Sequence, residues 1–512
     1  MSYLNSINQV FSLQRVSGLF RELGHGDIVA LTIINSLFIW LFFSISEPHL
    51  DTYGDMVENY AWGITWSLGN NKHPPLFGWV TAVWFYIFPT KNSFYYLLSA
   101  VNMLVTSAFL TMSMRQFLDS QKTFVALALT LVVLPLSIDH GYKYNANLAQ
   151  LPFLTGYLWA LLTAVKSDRH SRYMIAGVMA GAAILCKYSA VLILGPITLT
   201  TLFYLRASHF QWIKALVIIG LVSALILTPH VCWEFKHHWP SLLYIDDKPT
   251  MPTEWKWLMS LRKNIFDFTR FISWPAMLLG LSLFLSSHHT KKYSKPPVKT
   301  PKFGLLVIFL CLFFTVLSAF VEKLKIDSSW LIVCTIFLGW ALFDLLPPSL
   351  NFHVLAKRLK ISVYAYFIVA LIVVAWCKTA NHHTAVNQGA LPEIFAKDLT
   401  SYYHQKYHGN LVYVAGSEPL AYDVTFYSPD HPWGIYRFDL DSSTWINQQD
   451  PKLKRKVIVC SGENHYLPRN PECSSKAIKL FGVPKEIKEF SYPAYDTENK
   501  LYRNITFEAL VY

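Results

Sequence analysis

Long apolar runs alternate with short polar turns along the first three quarters of the chain. The runs are Ile28–Ser46, Tyr95–Met112, Phe124–Ile138, Leu151–Val165, Tyr173–Cys186, Ala190–Tyr204, Ala215–Pro229, Phe271–Ser286, Phe303–Phe320, Trp330–Leu346 and Ile361–Cys377. A bilayer core about 30 Å thick is crossed by a helix of about 20 mostly apolar residues. Helices suit that setting because they satisfy every backbone group internally. The pattern therefore predicts a mainly α, polytopic membrane helix bundle of about 11 spans. One more run, Leu76–Phe88, has 13 residues. As a helix it reaches about 20 Å, so it is expected to lie at the interface rather than to cross.

The turns add an orientation. With the N-terminus inside, the cytoplasmic loops carry Arg115 and Lys122; Lys166, Arg169 and Arg172; Arg206 and Lys214; Lys291, Lys292, Lys295, Lys299 and Lys302; and Lys357, Arg358 and Lys360. Every one of these loops is basic, as the positive-inside rule requires. Counting Leu76–Phe88 as a span would put the 291–302 lysines outside. Met1–Asp27 shows no cleavage-site pattern, so the first run reads as an uncleaved span. The outer face then receives segments 47–94, 139–150, Lys187–Ser189, 230–270 and 321–329, and everything after Cys377.

Two parts follow: a transmembrane module over 1–380 and a domain over 381–512 outside the cytosol. The second part reads as a small α/β domain, with a helix near Leu391–Tyr403 and strands at Leu411–Ala415, Lys456–Cys460 and Ile505–Tyr512. Cys460 and Cys473 both lie in it, outside the cytosol, where they could pair or remain two thiols. Asn504-Ile505-Thr506 fits the glycosylation acceptor pattern but falls inside an expected strand.

Composition sharpens this picture. The 512 residues are 53% hydrophobic and only 15% charged, against about 25% charged in soluble domains. The net charge of +12 could suggest nucleic acid, but its basic residues sit between apolar runs and set topology instead. The seven cysteines form no C-x-x-C pair and no zinc spacing.

Candidate chemistry gathers in the outer-face segments, where ionisable groups at the membrane edge are costly to hold. In a helix over Asp55–Trp66, Asp55, Glu58 and Asn59 share one face, and Tyr60, Trp62 and Trp66 could anchor it at the interface. Lys72 and His73 precede Pro74-Pro75-Leu76. The second loop offers Lys143, Tyr144, Asn145 and Asn147 as donors to a phosphate or a sugar. Lys187 and Tyr188 fall between two apolar runs with hardly any loop, and a lipid phosphate is a natural partner for that lysine. His230, Glu234, His237 and His238 suggest metal ligands without a convincing spacing; His237 and His238 are instead expected, with Lys72, His73 and Tyr188, to contact the phosphate or sugar of a donor. No cofactor is required, and a divalent metal stays open.

These residues resemble a known family. The acidic first loop, Lys72-His73-Pro74-Pro75-Leu76, Leu185-Cys186-Lys187-Tyr188, the segment from Trp233 to Ser241 and the segment from Ala421 to Pro432 together look like the bacterial dolichyl-phosphate-mannose–protein mannosyltransferase-like family of the GT-C superfamily. The lipid A aminoarabinose transferases are among its relatives. The resemblance implies a glycosyltransferase with a polyprenyl-phosphate-sugar donor and an acceptor that is a lipid such as lipid A, a glycan or a protein. Because the family is bacterial, it also implies that the module lies in the inner membrane and that the 381–512 domain is periplasmic. It also implies a catalytic carboxylate in the first outer loop, and Asp55 is the position that matches. Glu58 is the reserve. Asn71-Lys72-His73 and Tyr144-Asn145-Ala146-Asn147 depart from relatives that place acidic residues there, so neither donor sugar nor metal content carries over. The rival readings are a transporter or lipid flippase, and a non-catalytic assembly partner. The polar residues cluster at one face rather than at mid-depth, and no internal repeat is evident, which favours an enzyme.

Overall fold

The computed structural model describes residues 25–47, 49–51, 54–244, 253–286, 302–325, 328–380, 386–387, 390–461, 472–496 and 501–512. The expected basic residues Lys291, Lys292, Lys295 and Lys299 lie outside them, as do most of Met1–Asp27 and parts of the 230–270 and 321–329 segments.

The chain is mainly helical, with one small sheet near its C-terminus. We number the principal helices α1 (His25–Ser46), α2 (Asp55–Gly63), α3 (Leu76–Ile87), α4 (Asn92–Met114), α5 (Ser120–Leu131), α6 (Leu151–Ser167), α7 (His170–Cys186), α8 (Val191–Tyr204), α9 (His209–Lys236), α10 (Glu254–Ser286), α11 (Phe303–Val321) and α12 (Phe352–Ala380). Among the described residues, six helices are long and apolar enough to cross a membrane: α1, α4, Ala146–Ser167 (which contains α6), α9, α11 and Phe352–Thr379 within α12.

Every expected run holds helix, but several boundaries move. α5 stops at Leu131, and a separate turn, Leu134–Ser137, follows. The Trp330–Leu346 run is broken into Ser328–Ile332, a 3-10 segment Val333–Phe337 and Leu338–Asp344. There the backbone of Gly339 meets α5 so closely that an added Cβ would stand 2.0 Å from the Thr130 nitrogen. α10 begins at Glu254, so much of the expected outer segment before Phe271 is helix rather than loop. α3 is a helix of 12 residues, about 18 Å long at 1.5 Å per residue. It crosses α2 at Gly63 and Gly78, where a Cβ on Gly63 would lie 2.1 Å from the Gly78 carbonyl oxygen.

The loops segregate to two ends of the bundle. At one end His25 meets Ser120 (3.2 Å), Gln121 meets His353 (3.0 Å), Lys360 meets Asp27 (2.6 Å) and Lys214 meets Asp168 (2.8 Å). These are the loops expected to be cytoplasmic. At the other end the 49–75, 139–147, 187–190 and 230–244 segments touch one another, for example through His230 Nδ1 and the Leu68 carbonyl (2.8 Å).

The C-terminal sheet has the order β1-β5-β6-β4-β2-β3. Its strands are β1 (Val386–Asn387), β2 (Tyr413–Gly416), β3 (Trp433–Gly434), β4 (Val457–Ser461), β5 (Glu486–Asp496) and β6 (Leu501–Val511). β2 pairs parallel with β3 and β4, while β4–β6 and β5–β6 are antiparallel. The apolar runs of β2 and β4 are buried along their full length, as expected of strands covered on both faces. Helices α13 (Leu391–Tyr407), α14 (Leu420–Tyr427) and α15 (Cys473–Phe481) complete the domain. Cys460 and Cys473 are joined by a disulfide that ties β4 to α15. Asn504 lies in β6, paired with Pro493.

This domain seats on the non-basic end of the bundle. Phe426 of α14 packs edge-on against Tyr60 (5.1 Å between centroids) and Phe85 (5.2 Å). The Tyr427 hydroxyl donates to Asn92 Oδ1 (2.8 Å). Buried His49 and Asp423 face each other at 3.4 Å.

Candidate active site

The site is built from α2 outward. Gly54 turns the chain into α2 with a positive φ of 77°, a conformation glycine adopts without penalty. Behind it the Asp51 carboxylate accepts from the amides of Asp55 (3.1 Å) and Met56 (2.8 Å). This satisfies two of the orphan donors of a helix start. Asp55 is thereby held at the first helical position, where the helix dipole favours a negative charge.

Its carboxylate meets Lys143 Nζ at 3.1 Å and accepts from Asn145 Nδ2 at 3.1 Å. Burial works against its charge, but the Lys143 ammonium and the Asn145 amide hold the group below the ordinary carboxylate range. The side chain nevertheless keeps 41% of its surface exposed, so it stays ionised and reachable. Lys143, held between Asp55 and Asp51 (3.5 Å), is itself pushed up by those two charges despite its burial.

The second loop joins Asp55 to Lys187. Asn145 starts a short helical turn, Ala146–Ala149, by accepting from the amides of Asn147 (3.0 Å) and Leu148 (3.2 Å). Two residues on, Asn147 Oδ1 accepts from Lys187 Nζ at 2.6 Å. One turn therefore fixes a carboxylate through its first residue and a cation through its third. Asn59 fastens the same loop to α2 by donating to the Tyr144 carbonyl (2.6 Å).

Glu58 has a different setting. It is nearly fully buried and pairs with Lys72. Burial, with the nearby Glu418 and Asp55 carboxylates, outweighs that lysine and pushes Glu58 up to about 7. Glu418 comes from the C-terminal domain. The residue after it, Pro419, packs so tightly on Gly54 that a Cβ there would stand 2.2 Å from the proline Cβ.

A second buried network lies beside Lys187. The Tyr188 hydroxyl contacts His230 Nε2 (2.5 Å), Ser241 Oγ (2.7 Å) and Glu234 Oε1 (3.4 Å), and Ser241 donates to Glu234. It locks the 187–190 turn against the end of α9.

Thus Asp55, Lys143, Tyr144, Asn145, Asn147 and Lys187 come together, with Glu58 on the next turn of α2 and its partner Lys72 in the loop that follows that helix. His73 stands aside with its ring 6.1 Å from that of Tyr244. His237 stacks on Trp233 (4.4 Å) and bonds the Trp233 carbonyl (2.7 Å). His238 occupies a left-handed bend with φ of 63°. Among the described residues no hydrogen bond or ion pair joins His237 or His238 to Asp55, Lys143 or Lys187. Among those residues, too, no group of three His, Cys, Asp or Glu side chains is arranged to hold a metal. Tyr60 and Trp62 are buried in the interior, against Phe426 and Phe77, so they anchor protein to protein; Trp66 is exposed. The side chains around this candidate site that the sequence reading did not single out are Asp51, His49 with Asp423, and Glu418. Only Asp51 left a signal there, as an acid four residues ahead of Asp55.

No curated protein matches the sequence. Asp55 and Glu58 stand just ahead of the stretch that a family model matches. That stretch, residues 72–233, matches the model for dolichyl-phosphate-mannose-protein mannosyltransferase, which marks this part of the chain as a membrane glycosyltransferase module of GT-C type.

Proposed function

We propose that the protein transfers a sugar from a polyprenyl-phosphate-linked donor to a hydroxyl of a lipid, glycan or protein acceptor at the outer face of the cytoplasmic membrane. In this reading the bundle crosses about eleven times, with its N-terminus and basic loops inside and the C-terminal domain outside.

The reaction runs as one displacement. Asp55 takes the proton of the acceptor hydroxyl, and the acceptor oxygen attacks the anomeric carbon. The bond from that carbon to the phosphate oxygen breaks, and polyprenyl phosphate departs with the electron pair. Attack opposite the leaving group inverts the anomeric centre. A phosphate is a weak base, so it needs charge stabilisation more than a proton, and Lys187 is the cation best placed to give it. Lys72 and Lys143 were expected beside it in that role. Their partners Glu58, Asp51 and Asp55 offset their charge, so they hold the carboxylates instead.

One observation carries this reading: the single turn Asn145–Asn147 fixes the accessible Asp55 carboxylate and Lys187 together. It favours a base and a phosphate anchor acting on one substrate pair. The test is mass spectrometry of envelope lipids, glycans and proteins from cells with and without the gene, or with Asp55→Ala. A sugar missing in both altered strains is the expected result and would identify donor and acceptor. Unchanged glycoconjugates in the gene-deleted strain would overturn the reading. A reporter fused after Tyr512 should be active only on the non-cytoplasmic side.

A further inference from the structure

The basic end of the bundle holds a cleft of about 300 Å³ where α1, α5 and α12 meet. Asp27 of α1, Gln121 of α5, and His353, Lys357, Lys360 and Ile361 of α12 line it. Most of its polar groups already serve one another. Lys360 Nζ meets Asp27 Oδ1 at 2.6 Å, and Gln121 Nε2 meets His353 Nδ1 at 3.0 Å. Lys357 stands apart from those pairs. It is exposed, and among the described residues no hydrogen bond or ion pair engages its ammonium.

The helix that carries Lys357 continues as an open apolar face. Ile361 follows one turn on, and Ile368 and Ile372 fall on the same side of α12. They are 56%, 58% and 62% exposed, so their surfaces are free. They lie within Phe352–Thr379, a stretch long and apolar enough to cross a membrane. One helix face thus presents a cation at its end and an aliphatic stripe beyond it. Those are the complements of a phosphate head and an acyl chain. Basic clefts between membrane helices are a known setting for phospholipid headgroups.

We propose that this cleft is a site for one glycerophospholipid, with its phosphodiester on Lys357, its glycerol backbone in the cleft and an acyl chain along Ile361, Ile368 and Ile372. Asp27 and Lys360 keep their own pair, so the phosphate draws on the open lysine. A lysine that only reached for bulk headgroups would hold no particular lipid. Here three helices wall the space beside it. A soluble phosphate would leave the aliphatic stripe unused. The site lies at the opposite end of the bundle from Asp55 and Lys187, and it does not depend on the transferase reading.

The test strips the full-length protein of lipid in detergent. Native mass spectrometry then follows its titration with dioleoyl-phosphatidylglycerol, dioleoylglycerol and glycerophosphate. One phosphatidylglycerol per chain should bind. Dioleoylglycerol, which lacks the phosphate, and glycerophosphate, which lacks the chains, should each bind about tenfold more weakly or worse. Lys357→Glu should weaken the phosphatidylglycerol adduct about fivefold or more. Ala356 also lines the cleft, and Ala356→Trp should fill it and weaken the adduct with no change of charge. Lys485→Glu, at an exposed lysine of the C-terminal domain, should leave the adduct as it was. Unchanged circular dichroism would verify the fold of each variant.

Equal binding of dioleoylglycerol would reduce the site to an apolar seat, and equal binding of glycerophosphate would make it a soluble-anion site; either overturns the proposal. So would full binding by Lys357→Glu, or an equal loss in Lys485→Glu. Several phosphatidylglycerols leaving at one common rate would mark an ordinary lipid shell and overturn it too.

Discussion

The two ends of the bundle carry charge in opposite ways. At the basic end the pairs are simple and their carboxylates reach solvent: Asp168 is 43% exposed beside Lys214 at 14%, and Asp119 is 56% exposed beside Lys122 at 27%. At the other end Asp51, Glu58, Lys72 and Lys143 are each 13% exposed or less, and their charges interleave. Lone basic loops suffice to set orientation. Burying several charges together costs free energy unless geometry compensates, and among the described residues the interleaved cluster of Asp51, Asp55, Lys143, Glu58 and Lys72 lies at this end. The capping domain follows the same division, resting on the interleaved end through Phe426, Tyr427 and Asp423.

The sharpest test of this contrast is Asp55→Ala. A positioned base contributes about 10²–10⁴-fold, so transfer of labelled sugar from a polyprenyl-phosphate donor should fall by about that factor. Lys187→Ala comes next: removing one preorganised donor to developing charge costs about 10²–10³-fold. The loss should appear in kcat as well as KM, because the charge grows as the phosphate departs. If Lys187→Ala changed nothing, the cation would be a topology residue after all, and the two ends would differ less than argued.

The seam between the parts gives a third test. Asp423→Ala leaves His49 buried without its counter-charge, which costs about 3–5 kcal/mol. Hydrogen exchange of the Leu420–Tyr427 amides should accelerate accordingly. Burial lowers the His49 pKa, but Asp423, with Asp51 and Glu47, raises it to a net value above the ordinary one. A raised histidine stabilises below its unfolded pKa and loses that contribution as pH rises through the folded one. Docking should therefore loosen on the alkaline side, and Asp423→Ala should flatten the trend.

A smaller effect is expected at Glu58, with its pKa of about 7. Between its ordinary range and that value the folded protein holds a proton the unfolded chain has released, so stability falls as pH rises through this window. Glu58→Gln should remove that slope from pH-dependent melting and any inflection near pH 7 in the transfer rate. An unchanged profile would mean that Lys72 alone sets the state of Glu58.

Much of this was legible in the sequence, and the missing parts share a cause. Apolar runs mark helices because the bilayer imposes the pattern, and basic turns sort the loops into two sets because orientation does. Asp55, Glu58 and Asn59 fall on one face by helical spacing alone. The break at Val333–Phe337 leaves no mark, because it answers to the close approach of Gly339 to α5. The reassignment of Lys72 and Lys143 is equally hidden. A lysine near a lipid phosphate and a lysine beside a carboxylate look alike until the fold brings Glu58, Asp51 and Asp55 to them. His49 and Asp423 are too far apart in sequence for spacing to connect them.

The smallest expected effect lies at the basic end and is as informative as the largest. Lys214 Nζ meets Asp168 at 2.8 Å in a partly solvated pair, and such pairs contribute about 0–1 kcal/mol. Lys214→Ala should shift the melting temperature slightly and leave transfer within about twofold. High salt should erase even that shift, since screening acts within about 10 Å. Loss of transfer approaching that of Asp55→Ala would require the two ends to be coupled. One route is α9, which starts beside Lys214 and ends at the Tyr188–His230–Glu234 network. α7 joins the same two places, from the turn of Asp168 to Lys187 and Tyr188, so the Lys214 result tests whether the ends act separately.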